Sequence, residues 1–241
     1  MLTQKEVLVC NFDVQPDSFM KISAMFRYYQ QAARENTDAL GLTFEKMLEY
    51  GKVFVLTRMK HRVYSHIKGY DNLTIKTSSR EIKGAIFVRD FAVYNDEKLV
   101  AEATTNWALI DINTRRLVRP SVYEEFFGEK TALCSFEAGR KCDFVQDTDS
   151  GEYLYKVVYS DTDENRHLNN TRYTDICIDA LGGVSDDEMI TDVTIDFMAE
   201  ARAGEELLVK YKRVDDTVFV TAENVTNGNT SFKAEIKFAK K

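Results

Sequence analysis

From Phe19 to Gly41 the apolar residues Ile22, Met25, Phe26, Tyr29, Ala33 and Leu40 recur mostly three or four positions apart. That spacing puts them on one face of a helix, with Gly41 as its stop. The period then changes. Val53–Val63, Asn72–Ser79, Gly84–Tyr94 and Leu99–Ile112 are rich in Val, Ile, Phe, Thr and Tyr, and are divided by Lys68-Gly69-Tyr70-Asp71, Lys83-Gly84, Asn95-Asp96 and Asn113. Such runs between turn residues predict an antiparallel meander. The pattern returns further on. A strand over Tyr153–Tyr159 leads to a helix bearing Tyr173, Ile176, Cys177, Ala180 and Leu181, closed by Gly182-Gly183. Four more strands are predicted at Met189–Ala201, Glu206–Val214, Val218–Val225 and Ser231–Ala239.

The order strand, helix, four strands thus occurs twice. Each unit holds one apolar helix and a sheet that must cover it, so the economical arrangement is a sheet wrapped around its helix, an α+β fold. The expected domains are residues 1–130 and 152–241. Residues 131–151, with Gly, Ser, Asp and Thr but little apolar periodicity, read as the linker.

Composition narrows the function. Against 39 Asp and Glu stand 32 Lys and Arg, a formal charge of −7 over 241 residues, which argues against a nucleic-acid partner. Hydrophobic residues make up 44% of the chain, enough for a sizeable core. No apolar run approaches the roughly 20 residues that span a bilayer, and the opening MLTQKEVLVCNFDV lacks the order of a signal peptide, so a cytoplasmic protein is expected. Cys10, Cys134, Cys142 and Cys177 form no CxxC pair and read as free thiols. His61 and His66 have no companions at metal-ligand spacing, so neither a metal nor a cofactor is expected.

The two copies differ in chemistry. With the second slid back by 147 positions, Tyr159 falls on Phe12 and Tyr173 on Phe26, while Asp163, Asn165 and His167 fall opposite Pro16, Ser18 and Met20. Only the later copy brings a carboxylate, an amide and an imidazole to this corner. If the stretch is extended, the three side chains project to one side, just before a helix N-terminus whose free N–H groups favour an oxyanion. A plainer reading makes Asn169 or Asn170 a helix cap.

The run DENRHLNNTRY resembles the D-x-N-x-H-[LV]-N-N-x-x-Y signature of plant and bacterial acyl-acyl-carrier-protein thioesterases, which are tandem hotdog proteins. AMFRYYQQAARENTDALGL (24–42), VLTRMK (55–60) and Trp107 followed by Asn113-Thr114-Arg115-Arg116-Leu117 resemble the first hotdog of that family in order and spacing. The resemblance covers nearly the whole chain. It implies a double hotdog, two antiparallel sheets each wrapped around a long central helix, and a hydrolase releasing free fatty acid in fatty acid biosynthesis. It also implies catalytic roles for Asp163, Asn165, His167 and Glu200. Glu200 read alone would pass for an exposed strand residue, since it shares parity with Asp192, Thr194 and Asp196. Ala201 stands where many plant members carry a cysteine, which removes a thiol nucleophile from that place and favours direct attack by water. Either Glu200 or His167 can be the base, with the other as its partner.

The implied partner is an acyl carrier protein with a phosphopantetheine-linked acyl chain. Carrier proteins are typically acidic, so the candidate docking residues are Arg58, Lys60 and Arg62 on one strand face and Arg115 and Arg116, with Arg119, after a turn. The acyl chain is expected in the first hotdog beside Met25, Phe26, Tyr29, Phe54, Met59 and Trp107, and Asn169 and Asn170 are also expected to bind substrate. A monomer or homodimer is expected. An acyl-CoA thioesterase and a noncatalytic acyl-binding module remain alternatives. A hotdog dehydratase fits less well, because no Pro-Gly element follows His167.

Overall fold

Helix α1 (Ile22–Ala39) forms where the three- and four-residue spacing runs, and it buries Ala24, Met25, Phe26, Tyr29, Ala32 and Ala33. The computed structural model describes residues 1–120, 130–139, 141–142 and 151–241. These fall into two compact units, Met1–Gly139 and Arg140–Lys241. In the first, β1 (Thr3–Leu8), β2 (Lys52–Val63), β3 (Asn72–Lys83), β4 (Ile86–Asn95) and β5 (Lys98–Asp111) lie in the order β1-β3-β4-β5-β2, every pairing antiparallel. Helix α1 packs against β1 and β3, and its Tyr29 ring stacks on Phe91 of β4 at 4.6 Å. In the second unit β6 (Gly151–Lys156), β7 (Glu188–Phe197), β8 (Glu206–Val214), β9 (Thr217–Asn224) and β10 (Asn229–Lys240) run in the order β7-β10-β9-β8-β6, again antiparallel. Its helix α3 (Arg172–Ala180) packs against β6 and β8, with Tyr173 edge-on to Phe197 and Phe232. Each unit is the sheet-over-helix arrangement of a hotdog.

Both helices end alike. The N–H groups of Gly41 and Leu42 return to Asp38 and Thr37, and those of Gly182 and Gly183 return to Asp179 and Ile178. This is the Schellman pattern, and Gly41 and Gly182 supply the left-handed residue it needs, at φ +78° and +76°. The second helix has nine residues, half the length of α1, and so is shorter than the expected long central helix. Helix α2 (Phe44–Glu49) was not anticipated. Thr43 caps it by accepting the Lys46 N–H, and Met47 joins Leu42, Phe87 and Leu109 in a buried cluster.

Two predicted strands are too long. The strand expected to reach Tyr159 stops at Lys156, because Tyr159–Asp161 forms a single 3-10 turn around the buried Asp161 carboxylate. The strand expected to reach Ala201 stops at Phe197, where the Met198 and Ala199 N–H groups both turn to the carbonyl of Ser231.

Residues 131–139, the start of the expected linker, lie along the first unit. Asp90 accepts the N–H groups of Leu133 and Cys134, Glu102 accepts Ser135 Oγ, and Arg80 donates to the Phe136 carbonyl. Residues 140 and 143–150 of that expected linker lie outside the described residues.

His61 is fully enclosed on β2, its Nδ1 3.2 Å from the Tyr29 hydroxyl. Burial lowers its pKa from the ordinary 6.5 to about 4. The folded state therefore refuses a proton that the unfolded chain accepts. The stability this represents is complete above about pH 6.5 and is lost as pH falls toward 4. Urea unfolding is expected to show about 2 kcal/mol less stability at pH 5 than at pH 7 from this group, and His61→Gln removes that part of the slope. Identical pH slopes for the two proteins would contradict a buried neutral imidazole.

Candidate active site

The segment that carries the candidate chemistry is a tight hairpin and is not extended as expected. Thr162 and Leu168 form an isolated bridge, Asp163 N–H donates to the His167 carbonyl at 2.9 Å, and Arg166 N–H donates to the Asp163 carbonyl at 2.9 Å. Arg166 takes φ +62° to close the turn. Asp163 Oδ1 accepts the Asn165 N–H at 2.8 Å, an Asx turn that sets the loop. Side-chain direction here follows from these bonds and not from strand alternation.

His167 and Glu200 meet. Imidazole Nε2 lies 2.7 Å from Glu200 Oε2, with the side chains 24% and 45% exposed. Arg202 Nη2 stands 3.7 Å from the same carboxylate oxygen. The segment bearing Glu200 follows β7, so strand parity does not reach it. Its place is set by backbone bonds: Leu168 N–H donates to the Ala201 carbonyl at 2.7 Å, tying the hairpin to the residue beside Glu200. Asn165 is exposed, and among the described residues its side-chain amide makes no hydrogen bond. Asn169 Oδ1 accepts both the N–H and the hydroxyl of Thr171, and the Asn169 carbonyl accepts the Arg172 N–H. Asn169 thus shapes the helix entry, and two backbone donors there are already used. Among the described residues Asn170 makes no side-chain hydrogen bond.

The first unit repeats this frame. Gln15 N–H donates to the Phe19 carbonyl, Ser18 N–H donates to the Gln15 carbonyl, Ser18 has φ +68°, and Val14 bridges Met20. The offset between copies at this corner is therefore 148, not the expected 147. Asp163, Asn165 and His167 correspond to Gln15, Asp17 and Phe19 instead of Pro16, Ser18 and Met20. The expected register leaned on Phe12 and Tyr159 as apolar anchors, yet these are 69% and 88% exposed and anchor nothing. Met20 N–H donates to the Ile67 carbonyl as Leu168 does to Ala201, so His66 stands where Glu200 does. Where the second unit pairs His167 with Glu200, the first stacks Phe19 on His66, centroids 3.9 Å apart. A buried carboxylate, by contrast, recurs in both. Asp13 and Asp161 each accept a backbone N–H, a tyrosine hydroxyl and an arginine. Sequence reasoning passed over both aspartates, which recur in the D-x-x-x-x-x-[FH] spacing of each copy.

The other candidates are dispersed. Phe26 and Tyr29 pack with His61 and Phe91, whereas Phe54 and Trp107 pack against the cluster under α2. Met25 and Met59 are buried. Arg58 donates to the Gly139 carbonyl, and Lys60 and Arg62 lie over the Phe136 ring at 5.3 and 4.9 Å. Arg115, Arg116 and Arg119 are exposed beyond the end of β5. Cys177 is fully buried in α3, and burial pushes its thiol pKa far up, so it is packing.

Residues 2–129 match the acyl-ACP thioesterase N-terminal domain model, and residues 145–240 match the acyl-ACP thioesterase C-terminal domain model. No curated relative matches the chain. An acyl-ACP thioesterase structure from Bacteroides thetaiotaomicron superposes with a TM-score of 0.88 at 19% identity, covering 99% of this chain and 98% of that one. The 12:0-ACP thioesterase from Umbellularia californica superposes with a TM-score of 0.87 at 17% identity, covering 100% and 98%. At such identities the structural likeness carries the fold.

The Asx turn assigns Asp163 a measurable part. Asp163→Asn keeps an acceptor for the Asn165 N–H and is expected to unfold within about 0.5 kcal/mol of the parent, whereas Asp163→Ala loses about 1 kcal/mol. Equal losses in urea titrations would show that the turn does not rest on this oxygen.

Proposed function

The chain belongs to the acyl-ACP thioesterase family and hydrolyses the thioester of fatty acyl-acyl carrier protein; we propose that His167, oriented by Glu200, activates the attacking water. The 2.7 Å contact between His167 Nε2 and Glu200 Oε2 carries this reading. A carboxylate facing Nε2 holds the proton there and leaves Nδ1 as the acceptor. Of the two base assignments that the sequence leaves open, this contact favours the imidazole.

The reaction then balances with groups of this chain. Water adds to the thioester carbonyl carbon as its proton passes to His167 Nδ1, and the carbonyl electron pair moves onto oxygen. The Asn165 amide, which has no other hydrogen bond among the described residues, supplies N–H donors for that oxyanion. Collapse re-forms the carbonyl and breaks the C–S bond. The departing sulfur takes the proton from the imidazolium; as a thiol of pKa about 8.5 it needs little assistance. Ala201 offers no nucleophile beside Glu200, so no acyl-enzyme is required.

Arg116, exposed beside Arg115 after β5, is the favoured carrier contact, because Arg58, Lys60 and Arg62 are covered by residues 136–139. An exposed cationic turn on a chain of net charge −7 can attract an acidic carrier locally. A cytoplasmic setting belongs to the same proposal and is supported by four cysteines without a disulfide. No helix among the described residues is long and apolar enough to cross a membrane.

His167→Ala is expected to lower kcat by about 10³, and Glu200→Gln by about 10², with thioester release followed on acyl-acyl carrier protein. A larger loss from Glu200→Gln than from His167→Ala would transfer the base role to the carboxylate. Single turnovers in oxygen-18 water are expected to label the first product acid, and label in a protein carboxylate would demand an acyl-enzyme. Arg116→Glu is expected to raise KM for acyl-acyl carrier protein roughly fivefold with kcat unchanged and acyl-CoA turnover unaffected. Equal effects on both substrates would remove this turn from the docking surface.

A further inference from the structure

The last strand of each unit contains one unpaired bulge residue. In β5 it is Val100, between Leu99 and Ala101, which pair with Tyr94 and Val93. In β10 it is Ser231, between Thr230 and Phe232, which pair with Glu223 and Ala222. The two occupy the same place in the frame, because each turns its carbonyl to two successive N–H groups. Val100 receives those of Tyr64 and Ser65, just before His66, and Ser231 receives those of Met198 and Ala199, just before Glu200. Bulges re-aim side chains and concentrate beside active sites.

The side chains differ in one respect. Val100 brings only methyl groups, whereas Ser231 Oγ, fully buried, donates to the Ala199 carbonyl at 3.1 Å. This bond ends on the carbonyl one residue before Glu200. On the far side, Leu168 N–H holds the Ala201 carbonyl.

We propose that Ser231 is a positioning residue for Glu200, fixing the Ala199 carbonyl so that the glutamate leaves the backbone toward His167. The bulge carries a hydroxyl only in the unit that has the imidazole–carboxylate pair, so the hydroxyl accompanies the chemistry and not the fold. This inference rests on the reading of His167 and Glu200 as the reacting pair. Losing the hydroxyl frees the carbonyl to rotate and lengthens the contact with the imidazole without removing any group that touches substrate.

Threonine and valine have the same shape and differ by this hydroxyl alone, which makes them the test. Ser231→Val, the residue of the first unit, is expected to lower kcat about tenfold with KM within about twofold, and to shift the pH at which kcat/KM falls to half its plateau. Ser231→Thr is expected to restore kcat to within about threefold of the parent, and Ser231→Ala, which removes the hydroxyl without adding bulk, to match the valine protein. Thermal unfolding of all three shows whether they fold, and if the site tolerates neither larger shape, Ser231→Ala alone still reads the bond. Equal kcat and equal pH profiles for the threonine and valine proteins, with Ser231→Ala at parental activity, would overturn the proposal. If instead His167→Ala and Glu200→Gln both keep parental activity, the reading of the pair fails, and that outcome is separate from the first.

Discussion

A hydrogen bond between an imidazole and a carboxylate that are both partly open to water does not hold itself together. Exposed ion pairs contribute about 0–1 kcal/mol, less than the cost of fixing two side chains that are otherwise free. The 2.7 Å contact between His167 and Glu200 therefore depends on the backbone that presents them. That backbone is bound on every side. The hairpin closes on itself through Asp163 and Arg166, Leu168 N–H reaches the Ala201 carbonyl, and β10 takes the N–H groups of Met198 and Ala199. The His167–Glu200 contact is the outcome of a frame that would stand without it, as the first unit demonstrates.

What could be read from the sequence follows from which of these forces leave a period. Helix α1 and the strands carry repeating apolar positions and were legible to within a few residues, and the glycines that stop both helices were legible because a left-handed residue is required there. Helix α2 has six residues, too few to show a period, although Thr43 at its cap was a usable signal. The hairpin at 162–168 is built from side-chain and turn hydrogen bonds that have no hydrophobic signature. Assuming it extended therefore missed the turn that Asp163 closes, and sliding exposed Phe12 onto exposed Tyr159 gave a register one residue off. Glu200 entered only through family resemblance, since the end of β7 at Phe197 is caused by a bulge on another strand. Ser231 was invisible for the same reason: a bulge breaks the alternation by which inward positions are recognised.

The segment after the first sheet shows charge being used internally. Arg58, Lys60 and Arg62 looked like an exposed cationic row, yet the carbonyl of Gly139 and the ring of Phe136 occupy it. Beneath the same segment Asp90 and Glu102 lie buried and accept donors from residues 133–135. Buried carboxylates are costly unless their lone pairs are filled, so residues 133–135 are needed to satisfy the sheet as much as the sheet is needed to hold them. Alternating basic residues on a strand are thus weak evidence of a docking surface when a downstream segment can reach them.

The two corners separate what the fold requires from what the chemistry requires. Asp13 and Asp161 are kept in both units, each buried and each closing a 3-10 turn against a tyrosine and an arginine. They support the corner, so the loop residues beyond them are free to vary. In the first unit that freedom is spent on packing, with Phe19 stacked on His66 and Lys68 over the same ring. In the second it is spent on an imidazole, a carboxylate and an amide left without an internal partner among the described residues. An unsatisfied amide and a half-exposed carboxylate contribute little to folding, and a corner already closed by Asp161 can carry them without loss of structure. Duplication supplies that condition: one copy keeps the shared frame packed, while the other carries on the same frame the groups proposed to act in the reaction, which add little to stability.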